Sequence, residues 1–269
     1  MGTHDDDLAT FAEHGAPALP ATGAEERTIR HNGADIWFAT FGAGPPVVLL
    51  HGGLGHSGNW GHQVPALLRS GRRVVVVDSR GHGRSTRDAR PYSYELMASD
   101  VLAVMDAAGL AKAALVGWSD GACTALVLAR RAAERISGVF FFACNMDPSG
   151  VKANIEPNAT LQHCWSRHVA DYAQLSATPG EFKQFATAVQ QMQKTQPNYS
   201  PRDLADIRVP VAIVQGEHEE FITQEHASYL TRSIPDAELV LLPGVSHFPP
   251  LQRPELFNTA LCAFLRRIA

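Results

Sequence analysis

The run AALVGWSDGACTALVLA, residues 113–129, holds two apolar segments joined at Gly117-Trp118-Ser119-Asp120-Gly121. A hydroxyl and a carboxylate stand between two glycines, where the first segment stops and the second starts. Read as strand, sharp turn and helix, the spacing accounts for each residue. Glycine on either side lets the backbones of strand and helix approach closely. The turn lifts Ser119 above the end of the strand. It also aims the N-terminus of the helix, which favours developing negative charge, at whatever the hydroxyl attacks. The pattern is G-x-S-x-G, which carries chemistry only in a strand–turn–helix setting.

The surroundings supply that setting. PVVLLH (46–51), RVVVVD (73–78), AALVG (113–117), GVFFFAC (138–144), VAIVQG (211–216) and ELVLLPG (238–244) are short, apolar and without alternation. Strands buried on both faces of a parallel sheet read this way. Earlier, RTIRH and ADIWFATF flank Asn32-Gly33, which predicts a hairpin with a tight turn. Helical patterns lie between the runs. Ser93 suits the N-cap of a helix whose apolar face is Met97, Val101, Met105 and Ala108, with Gly109 as its stop. The last helix shows Phe257, Leu261, Phe264, Leu265 and Ile268 on one face. Alternating strands and helices predict an α/β fold with a mostly parallel sheet.

Two segments depart from the rhythm. Residues 1–23 lack periodicity and read as an N-terminal arm, loose or docked on the surface. Residues 147–206 contain no strand-like run. Helical segments near 159–175 and 179–194, and a short one opening at Ser200-Pro201, suit a lid inserted after a strand's carboxyl end. The core is then residues 24–146 and 207–269.

Composition narrows the partners. Of 269 residues, 45% are apolar and 19% charged, and the net charge is −4. That balance gives no basic surface for nucleic acid or anionic lipid. No run reaches the roughly 18 apolar residues of a membrane span. The first residues, MGTHDDDLATFAEHG, lack the basic and apolar regions of a secretory signal, so the cytoplasm is expected. Cys123, Cys144, Cys164 and Cys262 stand far apart in the chain in apolar contexts and read as buried thiols. His51, His56 and His62 put no pair on one helical face, so no metal is expected.

At this point the chain resembles the α/β-hydrolase family, from about residue 24 to the end. The matching signatures are His51-Gly52-Gly53, Asp78-Ser79-Arg80-Gly81-His82-Gly83-Arg84-Ser85, the elbow at Ser119, and Gly244-Val245-Ser246-His247-Phe248. The elbow GWSDG is similar to that of the biphenyl hydrolase-like and valacyclovir hydrolase group. The resemblance implies a cofactor-free serine hydrolase, with Ser119 as nucleophile and His247 as base. It places the acid after the strand VAIVQG in a G-x-x-D pattern. Here Gly216-Glu217-His218-Glu219-Glu220 stands instead, with Glu219 at the Asp position. Glu217, Glu220 and Asp147 are the other candidates. The oxyanion hole falls to the N–H of Asp120 and to the loop after His51, at Gly53 with Leu54 as the alternative.

The Asp120 carboxylate must point away from a developing oxyanion or be neutralised. It serves either as a helix N-terminal acid or, as the resemblance implies, as a contact for a substrate amine. Trp60, Trp118 and Phe142 are the aromatic residues expected near the pocket, with Trp165 in the lid. The segment after Asp78 reads as a brace built on hydrogen bonds and an ion pair, and His51 as a residue that orients its loop. The expected substrate is a small ester, thioester, lactone or activated amide. Carbon–carbon bond hydrolysis, perhydrolysis and slow-turnover ligand sensing stay open, as does a homodimer through lid or edge strands.

Overall fold

The computed structural model describes residues 6–155 and 159–268. Residues 1–5 of the expected arm and 156–158 of the expected lid lie outside them. Eight strands form one sheet: β1 (Glu25–His31), β2 (Ala34–Phe41), β3 (Pro46–Leu50), β4 (Arg73–Val77), β5 (Ala113–Trp118), β6 (Ile136–Phe142), β7 (Val211–Gly216) and β8 (Ala237–Leu242). Their order is β1-β2-β4-β3-β5-β6-β7-β8. The β1–β2 hairpin is antiparallel, as is β2 against β4, and every other pairing is parallel.

The helices are α1 (Asp6–His14), α2 (Gln63–Arg69), α3 (Tyr94–Ala107), α4 (Asp120–Arg131), α5 (Ala159–Leu175), α6 (Phe182–Thr195), α7 (Pro201–Ala205), α8 (Gln224–Ser233), α9 (Pro249–Gln252) and α10 (Pro254–Arg267). The Ser93 side chain accepts the N–H of Leu96 at the start of α3. This satisfies one of the donors that a helix start leaves open.

The missing alternation has a simple cause. Ala113 and Leu115 of β5 belong to one apolar core, and Ala114, Val116 and Trp118 to the other. Val47 and Leu49 likewise separate from Val48 and Leu50. Each face of the sheet is covered, so both sets of side chains leave water, at about 1.5–3 kcal/mol for each large aliphatic residue. Strand order reverses between β3 and β5, which opens a crevice at their carboxyl ends. The loop at Gly52 and the elbow at Ser119 meet there.

Three expectations change. The run at 238–244 is not a strand buried on both faces: β8 is the edge strand, and Leu239 and Leu241 stay 45% and 50% exposed. The N-terminal segment contains a helix, and Leu8 and Phe11 of α1 are buried in the second core. Of the four cysteines expected to be buried, Cys262 is only partly so, and Cys123 and Cys144, distant in the chain, lie with sulfurs 2.9 Å apart because α4 and the end of β6 meet.

Candidate active site

Ser119 takes φ 53° and ψ −122° between β5 and α4. A positive φ at a non-glycine residue is a strained conformation that persists only where the surroundings impose it. Here they do so through contact. A Cβ on Gly117 would overlap the backbone of Ala122, and one on Gly121 would overlap the carbonyl of Leu50. The N–H of Asp120, first residue of α4, has no carbonyl a turn earlier to bond.

His247 follows β8, and its Nδ1 sits 2.7 and 2.9 Å from the two carboxylate oxygens of Glu219. Both residues are buried, at 6% and 2% exposure. Burial alone would push the imidazole down. The charge and hydrogen bond of Glu219, with Glu220 and Asp120 adding, push it above its ordinary value instead. Trp118 Nε1 donates to the His247 carbonyl at 2.9 Å, and the ring of Phe221 packs edge-on to the imidazole with centroids 4.7 Å apart.

The other three candidate acids are engaged elsewhere. Glu217 accepts the N–H of Gly244 at 2.8 Å, and Glu220 the backbone N–H of His247 at 2.8 Å. Asp147 caps the turn at Ser149 and stands 3.9 Å from His226 Nδ1. Among them, Glu219 is the one that bonds the His247 ring.

Gly52 to Gly55 form a turn closed by the Gly55 N–H on the Gly52 carbonyl at 3.1 Å, with Leu54 at φ 64°. His51 anchors it. Its Nδ1–H donates to Gly52 O at 2.7 Å and its Nε2 accepts the Ser79 N–H at 3.0 Å. Burial pushes this imidazole down to about 4, so it is neutral near pH 7. The N–H groups of Gly53 and Leu54 bond no acceptor among the described residues. They are available, with that of Asp120, to an oxygen held in the cleft.

The Asp120 carboxylate lies beside Gly53 and has partners of its own. Oδ1 accepts Tyr94 Oη–H at 2.7 Å and Oδ2 accepts Gln193 Nε2–H at 2.9 Å. Burial, opposed by those two bonds, raises its pKa.

Ser119, His247, Asp120, Gly53 and Leu54 all border one mostly apolar cavity of about 670 Å³, roofed by Leu161, Cys164 and Trp165 of α5. Ser119 Oγ makes no hydrogen bond to His247 among the described residues. Such bonds are often long until substrate binds.

Two expected pocket residues are elsewhere. Trp60 and Phe142 are both 0% exposed and pack against Phe257, because they face the second core beneath the site. Trp118 borders a small chamber beside Ser119 rather than the main cavity. Tyr94, Gln193, Asn59 and His168 were not legible as site residues. Tyr94, Gln193 and His168 arrive from distant elements, Asn59 from the turn just after Gly55, and only His168, on a helical face with Cys164 and Tyr172, carried a local signal.

The segment after β4 is a brace. Asp78 accepts the N–H groups of Ser57 and Arg84, and Arg80 pairs with Asp100 through two bonds of 2.9 and 2.6 Å. Among the described residues no cluster of three or more His, Cys, Asp or Glu is placed to hold a metal. None of their helices is long and apolar enough to cross a membrane.

The sequence profile of the alpha/beta hydrolase fold matches residues 45–201. The chain belongs to that family. This alpha/beta hydrolase is 27% identical over 260 residues to a putative carbamate hydrolase, RutD, of Azorhizobium caulinodans, covering 88% of this chain and 98% of that protein. It is also 27% identical over 256 residues to the dihydrolipoyllysine-residue acetyltransferase component of the acetoin cleaving system of Pseudomonas putida. That match covers 86% of this chain but 66% of the longer protein. Among solved structures, Est816, described as an N-acyl homoserine lactone degrading enzyme, superposes with a TM-score of 0.73 at 26% identity, covering 88% of this chain and 100% of its own. The family is one of hydrolases.

Proposed function

We infer that this alpha/beta hydrolase cleaves a small ester or lactone through an acyl-enzyme on Ser119. One observation carries the reading: His247, bonded by Glu219, borders the same cavity as the strained Ser119. Glu219 holds the Nδ1–H tautomer, which leaves Nε2 as the base. Ser119 Oγ attacks the carbonyl carbon as its proton passes to His247 Nε2. The oxygen that becomes negative is met by the N–H groups of Gly53 and Asp120, and one such donor is worth about 3–4 kcal/mol of barrier. The C–O bond then breaks as His247 returns the proton to the leaving oxygen. Water, deprotonated by the same nitrogen, releases the acid and restores Ser119.

The apolar walls favour a substrate with at least one hydrocarbon portion. Both oxygens of Asp120 already have partners, which favours the helix-terminal role over a contact to a substrate amine. The similarity to proteins named for carbamate hydrolysis and lactone degradation agrees with acyl transfer to water. A panel of p-nitrophenyl esters, lactones and amino-acid esters tests it. Saturable ester or lactone turnover that vanishes in Ser119→Ala is expected. Turnover that persists in that variant would refute the reading.

A further inference from the structure

Beside the main cavity a chamber of about 40 Å³ is bounded by the Gly52–Gly55 turn, Trp118, Ser119 and His247. It exceeds the roughly 10–15 Å³ that one water-sized group needs. Two further polar residues close it, Asn59 and His168. Neither belongs to the triad or the oxyanion hole.

Asn59 is 2% exposed. Its Oδ1 accepts the N–H of His56 at 3.0 Å, which fixes the amide orientation and leaves Nδ2 as the free donor. His168 comes from α5, on the inward face with buried Cys164 and Tyr172. Asn59 Nδ2 and His168 Nδ1 are both buried and have no hydrogen-bond partner among the described residues. Buried polar atoms are rarely left so, and an unmade bond at a cleft points to a ligand that makes it. Other unpartnered atoms occur among the described residues, but the two residues that carry these line the same chamber as Ser119. Burial pushes the His168 imidazole down to about 4, so near neutral pH it offers one donor and one acceptor.

We propose that Asn59 and His168 form a polar subsite for a hydroxyl or keto oxygen carried on the acyl chain, next to the scissile carbonyl or one carbon beyond it. The substrate class is then an ester or lactone of a short oxygenated acid, with its acyl part in the small chamber and its alcohol part in the apolar cavity. The small volume and the proximity to Ser119 set the short distance. Asn59 Nδ2–H donates to the oxygen, and His168 donates to a keto group or accepts from a hydroxyl. The assignment of acyl and alcohol sides rests on the acyl-enzyme reading above.

The test uses the full chain carrying Ser119→Ala, titrated by NMR with ethyl butyrate and with ethyl 3-hydroxybutyrate. The hydroxylated ester should bind about five- to tenfold tighter, the size of one or two neutral hydrogen bonds. Adding His168→Phe should remove the preference and adding His168→Gln should restore part of it. Asn59→Asp, which keeps the acceptor for the His56 N–H but loses the donor, should also remove it. Equal affinities, or a preference that survives both His168→Phe and Asn59→Asp, would overturn the subsite. Wild-type hydrolysis is read separately. No cleavage of either ester beside an intact binding preference would sink the acyl-enzyme reading and leave the subsite standing.

Discussion

Two histidines at the carboxyl end of the sheet make the site intelligible by contrast. His51 and His247 are both buried, at 1% and 6% exposure, and both follow parallel strands. His51 bonds only backbone, donating to Gly52 O and accepting from Ser79 N–H, and burial pushes it down to about 4. His247 faces a carboxylate, which overcomes burial and pushes it up. Burial is common to both, so the partner decides whether a buried imidazole is a fixed strut or a proton carrier. The same contrast runs through the acids. Asp78 and Asp100 are held by fixed donors and cations, whereas Glu219, beside one bond from the Phe221 N–H, turns both oxygens to a ring that can change charge.

Glu219→Gln should erase the difference. Turnover is expected to fall on the order of a thousandfold or more. The sign of the pH effect follows from the shift. With its folded pKa above 6.5, His247 becomes an effective base only above that pH, so the acid limb of kcat/KM lies above 6.5 in the wild type. The pair's charge contribution to stability is correspondingly full below 6.5 and lost as pH rises through the folded pKa. In Glu219→Gln the limb should move below 6.5, read from pH–rate profiles or imidazole NMR. An unmoved limb would break the comparison.

Breaking the brace should act on stability instead. Arg80→Met leaves Asp100 buried without its cation, at a cost of about 3–5 kcal/mol in denaturant unfolding. The acid limb should stay where it is.

His51→Phe keeps a buried ring and loses both backbone bonds. About 1–3 kcal/mol of stability should go, mostly through the orphaned Ser79 N–H. Activity per folded molecule should fall through a looser Gly52–Gly55 turn, again with the limb unmoved. A limb shift as large as that of Glu219→Gln would make His51 a titrating participant.

The smallest effect is expected at Asp120→Asn. An acid whose folded pKa is raised disfavours folding above its ordinary value of 3.8, so the neutral amide should raise the thermal midpoint slightly at neutral pH. That gain should vanish below 3.8. Turnover of neutral esters should stay within about twofold, since the amide oxygen still accepts from Tyr94. A selective loss on amino-acid esters would instead assign Asp120 to substrate.

Much of this was legible in the chain because it is local or ordered. The buried runs announce a parallel sheet, and the glycines around Ser119 announce a strained turn. His247 and Glu219 follow from chain order once the family is in view. What the chain hid is what topology decides. Nothing in ELVLLPG says that β8 ends the sheet and leaves Leu239 and Leu241 half exposed. Trp60 and Phe142 sit beside site residues in the chain, yet their side chains are fully buried in the core beneath the site, against Phe257. Cys123 and Cys144 meet only because α4 lies against β6. The partners of Asp120 come from α3 and α6, and the polar closure of the small chamber from α5 and the turn before Trp60. Such contacts have no periodic trace in one sequence.

The proposed function rests on activation of Ser119 by the His247–Glu219 pair. Labelling with a fluorophosphonate, followed by peptide mapping, addresses it most directly. The wild type should be labelled on Ser119, Glu219→Gln should be labelled far more slowly, and Ser119→Ala not at all. A wild type that stays unlabelled beside a reactive control hydrolase, or a Glu219→Gln variant that labels as fast as the wild type, would contradict it.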